Sequence, residues 1–209
     1  MTYKLLTSKL EREKGKFITR ESLKTYSKTL DMDYNFAIGY LLANGYIIRI
    51  LRGIFYVKSL EERKLGKLNI NYLEAIKEAL AIKGVKNWYF GLETAFKLNA
   101  LTHEYFTIDY VISDTIYRPK PFDILGHNIR FIKAKKSLLN FGITSNAIPY
   151  SDPEKTILDM IYLGKYNNKP ESEIKDKIAS YLDSCNKKKL LIYVKHYPKS
   201  VEKIVRSLL

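Results

Sequence analysis

Apolar residues fall three or four positions apart over residues 19–30, where Leu23, Tyr26 and Leu30 form one stripe of an amphipathic helix. Thr19 is placed to cap it, and Glu21 lies in the first turn, where a carboxylate suits the helix dipole. Asp31-Met32-Asp33 then breaks the period, and a second helix is expected over 34–44, stopped by Gly45. Its residues Tyr34, Ile38 and Leu41 are spaced to face a core, which leaves Asn35, Phe36, Gly39 and Tyr40 for the outer face. Residues 46–51 and 54–58 change to β-branched and aromatic types around Arg52-Gly53, the pattern of a hairpin. An earlier stretch, 3–13, carries Leu5, Leu6 and Leu10 at helical spacing and ends at Gly15, and Phe17-Ile18 is an extended entry. Helix, turn, helix and β-ribbon in that order predict a winged helix-turn-helix, a module that reads DNA. The bland alternative is a small α/β interaction module that never touches DNA.

Residues 59–69 are polar and charged and read as a linker or helical spacer, so the domain boundary is expected near Leu65, with domains at 1–64 and 65–209. Beyond it the period alternates irregularly. Helices are expected over 71–83 (stripe Leu73, Ile76, Ala79, Leu80), 92–98, 153–163, 173–182, 190–196 and from Ser200 onward. Strands are expected over 105–113, 122–125 and 128–134, the last two as a hairpin about Gly126-His127. Arg118-Pro119-Lys120-Pro121 is expected to break the chain, and 138–148 to hold a further strand or two. Strands and helices without βαβ alternation predict an α+β fold: an N-terminal winged helix-turn-helix followed by a larger mixed α+β domain ending in helices.

Charge adds a partner to this picture. The 209 residues carry a formal net charge of +14. Residues 1–64 hold 13 Lys/Arg against 7 Asp/Glu and 186–209 hold 7 against 1, while the middle is nearly neutral. Basic ends favour a polyanion. The second helix of the pair has no Lys or Arg, and its two leading Asp residues repel phosphate. Grip on DNA must therefore come from Arg20, Lys24, Lys28, Arg49 and Arg52, with Asn35 and Tyr40 left to read base edges and sugars. Modest affinity per copy, offset by duplicated sites, is the expectation.

Catalytic signals are sparse. No glycine-rich phosphate loop or nucleophile elbow is present, and the lone Cys185 permits no internal disulfide. His103, His127 and His196 are scattered, so neither a metal nor a cofactor is expected. Asp152, Glu154, Asp159 and the nuclease-like triplet Glu173-Ile174-Lys175 are read as caps and solvated helix faces, and Trp88-Tyr89-Phe90 as core. With no signal-peptide pattern, and no unbroken apolar run longer than 190–194, a cytoplasmic protein with no membrane association is expected.

Four stretches carry a family likeness. They are LLANGYIIRILRGIFYV (41–57), YFGLETAFKLNALT (89–102), SDPEKTILDMI (151–161) and LLIYVKHYPKSVEKIVRSLL (190–209). In this order they resemble the AbiEi-type antitoxins of abortive-infection, type IV toxin–antitoxin systems. The second is similar to the family's Tyr-x-Gly-x-x-x-Ala element and the third to its Pro-Glu-Lys-Thr-x-x-Asp helix. The resemblance implies a winged helix that binds inverted repeats in its own promoter and represses the operon. It further implies a C-terminal domain that counteracts a nucleotidyltransferase-like toxin, without a stable toxin complex being assumed. The other functions left open by the residues are a winged-helix regulator with a ligand-sensing C-terminal domain and, more remotely, a nuclease.

Overall fold

The computed structural model describes residues 2–144 and 147–209, Thr2 by its backbone alone. Among the described residues the fold is mixed α+β, with ten α-helices and two sheets. The chain divides into two compact units, Met1–Lys86 and Asn87–Leu209.

The first unit runs α1 (Thr2–Glu11), β1 (Phe17–Thr19), α2 (Arg20–Thr29), α3 (Tyr34–Ala43), β2 (Ile47–Leu51), β3 (Ile54–Val57), α4 (Leu60–Leu65) and α5 (Tyr72–Ile82). The Thr19 side chain accepts from the Ser22 amide at the start of α2, and Asp33 accepts from the Asn35 and Phe36 amides at the start of α3. The expected entry at Phe17-Ile18 is a true strand, which pairs antiparallel with β3 and gives the order β1-β3-β2. Leu6, Leu10, Ile18, Leu23, Leu41 and Phe55 are among the residues that close one core.

The boundary expected near Leu65 is displaced to Lys86, and α5 explains why. Its buried stripe Ala75, Ile76, Ala79 and Leu80 packs on β2 and β3, so that β3 is buried along its whole length. A hairpin with two apolar faces needs a second cover, and α5 supplies it. The polar stretch before it is no loose linker. Glu62 of α4 is 2% exposed and accepts from Tyr56 Oη (2.8 Å), the Ser59 amide (2.7 Å) and the Asn69 amide (2.8 Å), while Ser59 completes a capping box.

The second unit runs β4 (Trp88–Gly91), α6 (Leu92–Leu98), β5 (Asp109–Ser113), β6 (Arg118–Ile124), β7 (His127–Lys133), a 3₁₀ turn (Lys136–Leu139), α7 (Pro153–Tyr166), α8 (Glu171–Leu182), α9 (Lys187–Tyr193), a second 3₁₀ turn (Val194–His196) and α10 (Lys199–Arg206). The sheet order is β4-β5-β7-β6, with β5 and β7 parallel and the other pairs antiparallel. Trp88-Tyr89-Phe90, expected as core, forms β4 with Tyr89 and Phe90 fully buried. Residues 118–121 do not break the chain as expected. They lie in β6, an edge strand, where proline's missing N–H costs little and the register to β7 is irregular. Among the described residues, 138–148 hold the end of a 3₁₀ turn and one isolated bridge, Ile143 to Ser151, instead of a strand, and Ser145 and Asn146 of that stretch lie outside the described residues. Helix α7 continues past the stop expected at Gly164, because that glycine lets Ile174 of α8 approach; a Cβ there would meet Ile174 Cγ1 at 2.7 Å.

Glu62 provides a test of the first unit. Burial raises its pKa, but the hydrogen bonds from Asn69, Ser59 and Tyr56 outweigh burial and leave it below the ordinary 4.5. Its stabilisation is therefore full above the unfolded-state value and fades as pH falls through the lower folded value. Glu62→Gln is expected to lose about 1–3 kcal/mol at neutral pH. Urea denaturation should show that gap close on acidification below the folded value.

Candidate functional site

The seven residues singled out in the first unit do not share one role. Arg20, Lys24 and Lys28 are exposed along α2, and Arg49 and Arg52 are exposed on β2 and at the hairpin tip. Arg20 lies beside that tip, its amide donating to Gly53 O at 2.8 Å. Gly53 has φ +79°, which the two-residue turn requires, and a Cβ there would rest 3.5 Å from Arg20 Cβ. The Arg20 guanidinium and the Lys24 ammonium both stand over the Tyr34 ring, at 5.6 and 5.9 Å. Tyr34 opens α3, so α2's cations are gathered against the start of α3. The ion pairs of this unit are Lys16–Glu13 and Arg63–Glu11, and among the described residues none of the five cations joins one.

Helix α3 presents Asn35, Phe36 and Gly39 to solvent, with Phe36 74% exposed. Tyr40 is not with them, contrary to expectation. It is half-buried against the core, 4.3 Å from the Tyr3 ring and 6.0 Å from the Tyr46 ring. At about 100° per residue, position 40 lies between exposed Phe36 and buried Ala37, so helical spacing alone leaves it at the border of the two faces, and the Tyr3 and Tyr46 rings draw it inward. Asp33 occupies the first free amides of α3 as a cap, which accounts for one of the two acids there.

In the second unit three of the four family-like stretches meet. Lys155 of α7 is fully buried. Its Nζ lies 3.2 Å from Asp159 Oδ1 and 3.2 Å from Tyr197 Oη, within 4.8 Å of the Tyr89 ring centre and 4.7 Å of that of Phe141. Asp159 also accepts from Tyr89 Oη and Tyr197 Oη, each at 2.7 Å. Burial first, and the Asp159 carboxylate second, push both tyrosine pKa values well above 10, so both hydroxyls remain donors. Asp152 is the expected helix cap, accepting from the Lys155 amide at 2.8 Å. Glu154 and Asp159 are not the solvated residues expected. Both are buried; Glu154 accepts from the Asn186 amide (2.8 Å) and pairs with Lys189 (3.0 Å). Glu173 and Lys175 lie in ion pairs with Lys169 and Glu171. Gly91 and Gly142 are small for contact, since a Cβ would meet Ile112 Cδ1 at 2.6 Å and Lys155 Cβ at 2.8 Å respectively.

A cleft of about 510 Å³ opens between the end of β7 and the end of α7. Arg130, Lys133, Lys135, Tyr117, Tyr162 and Tyr166 line it, and no acidic residue does so among the described lining. Its basic residues come from 130–135 and its tyrosines from 162–166 and Tyr117, separate stretches that no sequence motif joins.

Among the described residues, no group of three or more His, Cys, Asp and Glu could hold a metal ion, and no helix is long and apolar enough to cross a membrane. No protein-family model matches the chain, and neither does any curated protein. The chain is similar to a crystal structure described as the RV2827C protein from Mycobacterium tuberculosis, at a TM-score of 0.59 and 13% identity. The alignment covers 98% of this chain and 74% of that one. At that identity the likeness is one of fold.

The buried cluster yields a stability test. Asp159→Ala strands the Lys155 ammonium without its counter-charge and is expected to cost about 3–5 kcal/mol. The double substitution Lys155→Met with Asp159→Leu should recover most of that loss. Chemical denaturation of Lys155→Met, Asp159→Leu and their combination gives the coupling directly; additive losses would mean that the two charges act independently.

Proposed function

We propose that the chain is an antitoxin of the AbiEi type, whose first unit is a winged helix-turn-helix that binds the operon's own promoter. The observation that carries the DNA-binding half is the set of five exposed cations on α2 and the β2–β3 hairpin, outside any ion pair among the described residues, with Arg20 and Lys24 standing over the Tyr34 ring at the start of α3. Arg20, Lys24 and Lys28 from α2 and Arg49 and Arg52 from the β2–β3 hairpin grip phosphates on either side of the duplex groove. Asn35 contacts an adenine edge, and Phe36 and the small Gly39 allow close approach to sugars or a thymine methyl. The uncharged face of α3 makes this a reader supported by its neighbours, with modest affinity for one half-site and tighter binding to an inverted repeat.

Support for the antitoxin half comes from the second unit. The stretches similar to the family's conserved elements join in one buried cluster, through Tyr89, Lys155, Asp159 and Tyr197, in keeping with a shared architecture. Neutralisation of a nucleotidyltransferase-like toxin would then fall to this unit. A regulator with a ligand-sensing second domain is the alternative reading, and the basic, tyrosine-lined cleft favours it. The gene beside this one separates the two: a nucleotidyltransferase-like neighbour fits the antitoxin, a metabolic operon the regulator.

Fluorescence anisotropy with the upstream DNA of its own gene tests the reader. Affinity should fall with salt, and Arg49→Ala plus Arg52→Ala should flatten the log–log salt slope by about 2. Asn35→Ala should leave that slope alone and cost about 1–3 kcal/mol of preference at one base pair. Unchanged binding by the arginine variant would remove the hairpin from the interface.

A further inference from the structure

We infer that the cleft between β7 and α7 is a nucleotide-binding site, taking a base between tyrosines and its phosphate on the basic wall. The inference does not rest on promoter binding, because every lining residue belongs to the second unit. Three observations converge on this ligand. The volume of about 510 Å³ is within the range of small-molecule sites. Tyr117 and Tyr166 are 66% and 75% exposed, which leaves ring surface uncovered by the protein's own core. Lys133, Lys135 and Arg130, whose side chain also hydrogen-bonds Tyr110, line the same space, and the ion pairs of this unit among the described residues use other cations.

Each feature selects against other ligands. An apolar metabolite gains nothing from three cations, and a cationic one is repelled by them. Inorganic phosphate satisfies the cations but leaves the rings in water. A nucleotide meets both needs, since bases stack on aromatic faces and phosphates take charge-assisted hydrogen bonds from Arg and Lys. Asn167, at the end of α7, adds an amide with both donor and acceptor for a base edge. Openness to solvent at Tyr117 and Tyr166 permits two sources of the same chemistry: a free nucleotide, or one unit of a single-stranded RNA whose neighbours pass outside the cleft.

Positioning comes from the buried cluster. Tyr162 and Tyr166 follow Asp159 on α7, and Tyr162 lies with its ring centre 5.9 Å from that of Tyr197, an Asp159 partner. The cleft's aromatic wall is thereby held by the same helix that Lys155 and Asp159 anchor.

The full-length chain should be titrated with ATP by calorimetry and with a fluorescein-labelled oligo-adenylate RNA by anisotropy. Saturable binding to at least one probe is expected. Tighter binding of the RNA than of ATP assigns the site to single-stranded RNA, and the reverse order assigns it to free nucleotide. Tyr117→Ala with Tyr166→Ala should weaken the bound probe at least about fivefold, the loss expected from one stacking contact. Lys133→Ala with Lys135→Ala should weaken it and reduce its salt dependence. Tyr105→Ala, exposed and outside the cleft, should change nothing. Absence of saturable binding to both probes overturns the inference. So does tyrosine-independent binding, or displacement by inorganic triphosphate as effective as by ATP. Arg49→Ala with Arg52→Ala should leave this binding intact, so that failure here and failure of promoter binding are told apart.

Discussion

A lysine ammonium sealed away from water sets the terms for the second unit. Lys155 sits on α7, whose residues from Glu154 to Ile161 are all buried and which packs against α6, α8, α9 and α10. A charge in that position persists only with an opposite charge and hydrogen bonds around it. Asp159, one helical turn on, supplies the charge; Tyr89 of β4 and Tyr197, between α9 and α10, complete its hydrogen bonds. The ring faces of Tyr89 and Phe141 cover the ammonium. Sheet, central helix and C-terminal helices are thus tied at one point, and displacement of any of them exposes or strands a charge. The cost of that arrangement is high, and its return is a single well-defined position for α7 and for the cleft at its far end.

The first unit solves a different problem. Its α3 offers an open face with no cation, and Asp31 and Asp33 lie at its start. Asp33 is there to cap α3, a local requirement of the helix and not of any partner. Positive charge is instead brought in from α2 and the hairpin tip, which the Arg20–Gly53 backbone bond and the shared Tyr34 ring hold close to α3. We propose that reading and gripping are divided between these elements, so that sequence preference and overall affinity can vary separately.

Much of this was legible in the sequence, and where it failed the reasons are physical. Helices with a clear stripe and caps, such as α2 and α3, lie within a residue or two of expectation, because period and capping are local. The role of α5 was not local: its stripe announced a buried face but not which unit would cover it, and the hairpin's second apolar face decided the matter. Tyr40 was assigned to the open side of α3, where a tyrosine can stand with either its ring or its hydroxyl satisfied; the rings of Tyr3 and Tyr46 held it inward. Glu154 and Asp159 looked like solvated acids because their partners Lys189, Asn186, Tyr89 and Tyr197 are far away in sequence. The stretches that carry the resemblance are far apart in sequence, and the fold brings side chains from three of them together. The cleft left no trace at all, its lining being drawn from a loop, a strand end and a helix end.

We propose a division of labour in which the first unit controls expression and the second counteracts a toxin. Its most direct test is co-expression of this chain with an adjacent nucleotidyltransferase-like gene, in cells carrying a reporter driven by the chain's own upstream DNA. The account predicts that the wild-type chain restores growth and silences the reporter, and that the chain with Arg49→Ala and Arg52→Ala restores growth while the reporter stays on. Failure of the wild-type chain to restore growth, or loss of rescue and repression together in the arginine variant, would contradict it.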